Sequence, residues 1–533
     1  MKNIDSTVAE VLLAELSNLG VEYIFLVPGA QITPLLFRLY SENEIKVPVP
    51  IIANHELAAG FMAIGYARAS GKMGVAISIG GPAAAYMLGA GVTAKIDDVP
   101  VLFITGNIPP ESFGLGEFQD ASKLGTNDSA IFKEAVGTSM VCDKPDDLQD
   151  IIYMIRQCDK ELRSIHVQIP VNIQKAVLPF KIQEEISDFK NPILPELDFH
   201  QKTRTIFLIG QKALRLIDVN LLQEVVRKYS VAIVTDMKSR GILSETEIEC
   251  LGYIGFNSDI RALEVFNPQS HLAAEKIFTV GINDKLILQY INADKVEVCK
   301  IDPMEFNSWI YKLTTDKIVV NERIAWLEEV NKLDPPQPNS LHIHNKISYS
   351  DLISVLKEIM PKDTIYCLEA GQIRRAGSIF ITSYFKRSLL QSETLSPMGL
   401  GICSSIGAQL AKASNKVVCL TGDGSMRMNG IELATAARYH LPIIFILCDN
   451  KSYASVKGPE QAKDLPYINW ELYAKSLGIQ SYHVNNKMDF SNTLKDTLLN
   501  NEPILIWTEV PFLLNDELQK TTKIEYNNWL SAI

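Results

Sequence analysis

A chain of 533 residues is longer than one ordinary hydrophobic core spans, and 47% hydrophobic with 21% charged residues describes a globular protein of about three domains. Its 51 Lys and Arg against 62 Asp and Glu leave a net charge of −11 without any basic run, which argues against nucleic-acid binding. No stretch approaches the roughly 20 apolar residues of a membrane span, and eight cysteines scattered without a CxxC pair argue against a metal cluster or a disulfide frame.

The first 20 residues read as an amphipathic helix carrying Asp5, Glu10 and Glu15, acids that a secretory signal would lack, so a cytoplasmic protein is expected. Strands are predicted over 23–27, 50–53, 75–79, 101–105 and 166–169, with a small-residue helix over 57–69. Alternation of this kind predicts a doubly wound α/β domain over residues 1–180. Glu56 opens the helix. On spacing alone its carboxylate reads as a complement to the helix dipole, and Gln119 reads as a polar group in a loop.

Between 181 and 197 the periodicity stops, and acids and prolines gather as in a linker. A second α/β segment, 198–333, carries predicted strands over 206–209, 231–234, 276–280 and 296–301. The glycine after its first strand sits in Gly210-Gln211-Lys212-Ala213, not in a GxGxxG fingerprint. A structural middle domain without a dinucleotide is therefore expected.

The proline-rich run 334–340 marks a second boundary, and the third domain is expected over 346–533. A helix is predicted over 349–359 and a strand over 364–368, followed by Gly371-Gln372. Met398 lies between Pro397 and Gly399, a place where methionine usually fills core space. The densest signal comes next. A buried strand over 417–421 ends in Gly422-Asp423-Gly424, read as a sharp turn in which glycines allow unusual backbone angles and close ligand approach. A helical pattern through 431–438 and a second strand over 443–447 follow, ending at Asp449-Asn450. A right-handed parallel crossover then puts Asp423 and Asn450 at the carboxyl ends of two strands, where open α/β sheets bind ligands. Carboxylate and amide oxygens there suit Mg²⁺ on a phosphate, and the free amides from Ser425 onward favour the anion. A lone GDG is as readily a tight turn; the Asn after the next strand weighs against that.

Gly422-Asp423-Gly424 closed by Asn450 resembles the fingerprint of thiamine diphosphate-dependent 2-oxo acid decarboxylases and carboligases. The resemblance implies that Asp423, Asn450 and the carbonyl of Ser452 hold Mg²⁺ on the diphosphate, although this chain has Asp449-Asn450 where the family usually has Asn-Asn. Asn54-His55-Glu56-Leu57-Ala58-Ala59-Gly60 and Gly65-Tyr66-Ala67-Arg68 are similar to the cofactor-activating segment of acetolactate synthases. That likeness assigns Glu56 to N1′ of the aminopyrimidine ring. Phe118-Gln119-Asp120 falls where those enzymes have Phe-Gln-Glu, with Gln119 near the substrate. Gly371-Gln372 matches their Gly-Gln, whose Gln helps bind the diphosphate, but the His-Gln-Met continuation is replaced by Ile373-Arg374-Arg375. Met398 matches the apolar residue that props the cofactor into its bent form.

The resemblance covers essentially the whole chain, strongly in the first and third domains and only in outline in the middle one. It implies a homodimer or homotetramer with active sites at the subunit interface. The implied reaction decarboxylates a 2-oxo acid, pyruvate foremost, and transfers the acyl carbanion to a second carbonyl. Aldehyde-releasing relatives generally place histidines around the reacting carbon; where benzoylformate decarboxylases have a Ser after Pro-Gly and a His after the third strand, this chain has Ala30 and Gly80, and only His55 is present in this half. Two other readings stay open: a non-ligating decarboxylase or other C–C lyase, using Gln119 or a C-terminal residue such as Tyr526, and an inactive cofactor-binding relative.

Overall fold

In the computed structural model the described residues are 6–41, 46–178, 203–255, 257–282, 285, 290–291, 296–314, 322–333, 346–455 and 458–511. They build three all-parallel sheets with helices on both faces, the α/β architecture that the alternating pattern implies. The expected linker over 181–197, the proline-rich run 334–340 and Tyr526 lie outside the described residues.

The first sheet contains β1 (Tyr23–Leu26), β2 (Val49–Ile52), β3 (Gly74–Ser78), β4 (Val101–Asn107), β5 (Ser139–Val141) and β6 (Ile165–Pro170), in the order β2-β1-β3-β4-β6-β5. Every residue of β3, β4 and β6 is buried, as a strand covered on both faces must be. The Thr7 capping box starts the first helix, Val8–Asn18: its side chain accepts from Glu10 N and the Glu10 carboxylate accepts from Thr7 N.

The middle sheet contains β7 (Thr205–Ile209), β8 (Ala232–Asp236), β9 (Cys250–Ile254), β10 (Lys276–Val280) and β11 (Glu297–Ile301), ordered β11-β10-β7-β8-β9. The strand order reverses between β7 and β10, the usual place for a ligand crevice. Here the two following loops touch: Gly210 N donates to the Val280 carbonyl at 2.8 Å, and a Cβ on Gly210 would stand 2.4 Å from the Gly281 oxygen.

The third sheet contains β12 (Ile365–Leu368), β13 (Leu389–Leu390), β14 (Val417–Gly422), β15 (Ile443–Asp449), β16 (Gln480–His483) and β17 (Ile504–Glu509), ordered β13-β12-β14-β15-β17-β16. One expectation needs correction. Gly422-Asp423-Gly424 is not a turn: β14 runs through Gly422, and the helix Asp423–Asn429 begins at once. Gly422 has an ordinary extended φ of −107°, so no special backbone angle explains it. The second glycine is there for space, since a Cβ on Gly424 would meet the Tyr453 ring at 2.8 Å. The helical pattern expected through 431–438 is a 3-10 turn, Gly430–Glu432, followed by the short helix Leu433–Arg438.

One apolar core runs through the first and third sheets together. Its centre is the crossing of two small-residue helices, Glu56–Ser70 and Leu400–Ala411, one from each unit. A Cβ on Gly65 would lie 2.2 Å from the Ser404 carbonyl oxygen, and one on Gly407 would lie 2.1 Å from that of Met62. The backbones touch, which fixes the first and third units to each other. All eight cysteines are free thiols, and among the described residues no helix is long and apolar enough to cross a membrane.

Candidate active site

The third sheet presents its ligand-facing groups at the carboxyl ends of β14 and β15, adjacent strands in register from Val417–Ile443 to Gly422–Cys448. Asp423 follows the first strand and Asn450 the second. Asp423 is 2% exposed, and its Oδ2 has no hydrogen-bond partner. An orphaned carboxylate oxygen in a buried position is costly unless a cation or donor joins it. Asp449 does not face away. Its Oδ2 accepts from Trp470 Nε1 and its Oδ1 from Lys451 N, both at 2.9 Å, and it lies beside Asp423. Burial, and then this second carboxylate, push the Asp423 carboxyl well above the usual range.

Asn450 Nδ2 donates to the Tyr349 hydroxyl at 3.4 Å, and its Oδ1 accepts from Ser452 N at 3.0 Å, so the 450–452 segment folds around the amide. The Ser452 carbonyl accepts from Ala454 N at 2.8 Å and keeps a second lone pair. Among the described residues no three His, Cys, Asp or Glu side chains gather as a metal site. The available donors are instead carboxylate, amide and backbone carbonyl oxygens, a hard set that fits Mg²⁺ sharing its remaining positions with phosphates and water.

Gln372 and Met398 stand around this group. Gln372 opens the helix Gln372–Phe380, is buried, and donates from Nε2 to the Ala454 carbonyl at 3.4 Å. The Met398 sulfur lies 3.9 Å from where a Cβ on Gly424 would stand. Ser425 is buried in the first turn of its helix. The structure therefore brings Gln372, Met398, Gly422, Asp423, Gly424, Ser425, Asn450 and Ser452 to one strand-end cluster.

Glu56 and Gln119 lie in the first unit. Glu56 is the first residue of its helix, after His55, whose Nδ1 accepts from Leu57 N at 3.1 Å. The carboxylate is half-buried and, among the described residues, forms no hydrogen bond or ion pair. Gln119 has a left-handed φ of 61°, unusual for a side-chain-bearing residue, and its carbonyl accepts from Gln31 Nε2 at 2.9 Å. No hydrogen bond among the described residues joins either residue to the Asp423 group.

Several structuring residues escaped the sequence reading. Gln31 is one: buried, it takes Gly80 N on Oε1 at 2.8 Å while holding Gln119 through Nε2. Glu432 is another. Fully buried, it accepts from Asn54 N at 3.1 Å and from Thr435 Oγ1 at 2.6 Å, tying the residues before Glu56 to the third unit. Glu369 accepts three backbone N–H groups, from Ala370, Gly399 and Ile402. Only the residue type was visible in each case.

Comparison with known proteins identifies the first and third units. Residues 6–126 match the N-terminal TPP binding domain of thiamine pyrophosphate enzymes, and residues 369–508 match their C-terminal TPP binding domain. The acetolactate synthase large subunit of Porphyra purpurea is 26% identical over 545 residues, covering 94% of this chain and 91% of that protein. The probable large subunit of Methanococcus aeolicus is 26% identical (93% and 91% covered), and that of Lactococcus lactis 25% (93% and 91%). With both cofactor domains present in that order, and an oxygen-donor cluster within the second of them, the chain belongs to the thiamine pyrophosphate enzymes and its cofactor is thiamine diphosphate.

Proposed function

We propose that this protein uses thiamine diphosphate and Mg²⁺ to decarboxylate a 2-oxo acid, pyruvate foremost, and to join the resulting acyl unit to a second carbonyl compound. The observation that carries this reading is the orphaned Oδ2 of buried Asp423 beside the amide of Asn450 and the carbonyl of Ser452. When bound, the cofactor supplies an electron sink for the carbon–carbon bond that breaks. Asp423, Asn450 and Ser452 hold the metal on the diphosphate. Gln372 and the amides around Gly424 and Ser425 hold phosphate oxygens. Met398 props the bend, and Glu56 holds a proton at the pyrimidine N1′. Gln119 orients the substrate.

Glu56 and Gln119 reach the cluster of a second copy in this reading, so a homodimer is the smallest active form. Large apolar side chains standing in solvent beside each half-site support it: Phe118, next to Gln119, is 80% exposed, and Met428, in the helix that begins at Asp423, is 50% exposed. Ligation rather than aldehyde release is favoured by the shortage of proton donors. His166 is sealed in β6, where Thr105 and Ser139 engage both ring nitrogens and burial pushes its pKa down to about 3.

The test is turnover of purified protein with Mg²⁺ and thiamine diphosphate on a panel of 2-oxo acids, with CO₂ measured and products identified by NMR. A ligated hydroxyketone product is expected. Aldehyde alone would establish the non-ligating alternative, and no CO₂ from any substrate would establish the inactive one.

A further inference from the structure

A crevice of about 660 Å³ opens where the three sheet units meet. Gly71, just past the Glu56–Ser70 helix, lies on its wall. That helix of 15 residues sets the crevice ~22 Å from Glu56 at 1.5 Å per residue, and the 12-residue helix Leu400–Ala411, which starts just past Met398 and ends at Lys412 on the crevice wall, sets it ~18 Å from Met398.

Five cationic side chains line the crevice, against a single acid, Asp159, in a chain of net charge −11. Two of the five are answered. Arg215 Nη1 meets Asp159 at 2.9 Å, and Lys72 pairs with Glu22. Lys386, Arg387 and Lys412 form no ion pair among the described residues. Arg387 lies flat against Gly71, where a Cβ would stand 2.9 Å from its Nη2, and its Nη1 donates to the Arg68 carbonyl at 2.9 Å. Burial, and then the Arg215 charge, push Arg387 down to about 10. Burial, followed by Arg387 and Lys412, holds Lys386 below the ordinary lysine range, with Asp218 offsetting part of this.

Helix ends answer some of that charge. The helices Val8–Asn18, Glu56–Ser70 and Leu400–Ala411 all finish at this crevice, each end carrying roughly half a negative charge. At least half of the unanswered positive charge remains. Cations that depress one another in a half-closed crevice cost stability unless an anion joins them, and such a field draws anions in. The volume lies in the range of small-molecule sites, roughly 300–1,000 Å³, and is far larger than one phosphate requires. Tyr384 and Phe385 add an aromatic wall, suited to a planar ring.

We propose that this crevice binds a nucleoside di- or triphosphate, with Lys386, Arg387 and Lys412 holding the phosphates and Tyr384 beside the base. The site is independent of the reaction assigned to the cofactor cluster.

The test is calorimetric titration of full-length protein saturated with thiamine diphosphate and Mg²⁺, so that the cofactor site cannot take the probe. ADP, ATP and pyrophosphate are the probes. Saturable ADP or ATP binding that weakens with salt is expected, and Lys386→Ala combined with Lys412→Ala should weaken it at least tenfold. Both lysines are half-buried and form no ion pair among the described residues, so the unfolding temperature without nucleotide should hold; Lys386→Gln alone gives a second, milder check. Lys357→Ala, on an exposed helix position away from the crevice, should bind as the parent does. No binding at millimolar nucleotide, or equal binding by the double variant, would overturn the proposal. Pyrophosphate binding as tightly as ADP would overturn the nucleotide-sized occupant.

Discussion

Glu369 accepts the backbone N–H of Gly399 at 2.9 Å, across 30 residues of chain. It sits just past β12, and its other oxygen takes Ile402 N at 3.2 Å, so one carboxylate both closes the loop carrying Met398 and caps the Leu400–Ala411 helix. The group is fully buried, and burial raises its pKa from 4.5 to about 7 despite these N–H donors.

That raised value has a pH signature. The folded chain keeps a proton that the unfolded chain releases, so the stability contributed is complete below pH ~4.5 and lost as pH rises through about 7. A rise of this size corresponds to about 3 kcal/mol. Glu369→Gln cannot titrate, so its unfolding free energy should fall less between pH 5 and pH 8 than the parent's, by about 2–3 kcal/mol. Denaturant melts of the cofactor-free proteins measure this; parallel pH profiles would show that Glu369 does not titrate as described.

Asp423→Ala removes the charged oxygen donor of the cluster. Thiamine diphosphate binding in the presence of Mg²⁺ should weaken by at least about tenfold, the loss of ~1.4 kcal/mol or more that a charge-assisted contact supplies. Calorimetry finding parental affinity would remove Asp423 from the metal site.

Glu56→Gln keeps size and a hydrogen bond but cannot hold the proton. Turnover should fall about 10²- to 10⁴-fold, the usual loss for an acid–base group, while cofactor affinity and thermal stability stay near the parent. Exchange of the cofactor's C2 proton, followed by NMR in deuterated buffer, isolates the step. If it proceeds at the parental rate, Glu56 is only a helix-opening carboxylate.

Gly65→Ala places a methyl 2.2 Å from the Ser404 carbonyl oxygen, and backbone on both sides leaves no flexible atom to yield. The two helices must separate, at a cost of about 1–3 kcal/mol or more. A lower unfolding temperature is expected, together with lower activity as the first and third units shift. Parental values of both would show that the crossing is looser than the structure has it.

Purified protein should show no flavin absorbance and need no flavin, because no dinucleotide fingerprint follows β7 and the loops after β7 and β10 touch at Gly210 and Gly281. A yellow preparation that loses activity when the flavin is stripped would refute this.

What the sequence made legible was what local pattern encodes. Buried strands β3, β4, β14 and β15 are continuous apolar runs, and the helix between the last two forces Asp423 and Asn450 to one rim. The edge strands β5, β13 and β16 escaped, since two to four residues are too few to carry a period, whether half-exposed as in β5 and β16 or buried as in β13. The helix starting at Asp423 was misread because a glycine on each side suggests a bend, although here the second only makes room for Tyr453. Gln31, Glu369 and Glu432 were invisible for another reason. Their partners lie 30 to 378 residues away in some cases, and no spacing rule reaches so far.

The helix crossing has one more consequence. The Glu56–Ser70 helix follows the second strand of its unit, and the Leu400–Ala411 helix follows the second strand of a unit with the same strand order. Each offers a glycine to the residue three positions before the other's glycine: Gly65 to Ser404, Gly407 to Met62. This is the self-complementary contact that two copies of one protein make about a twofold axis, here contained in a single polypeptide. The first and third units thus meet inside one chain as two copies of a single unit would. The symmetry ends at their starts: one helix opens on Glu56, and the other follows Met398 and Gly399.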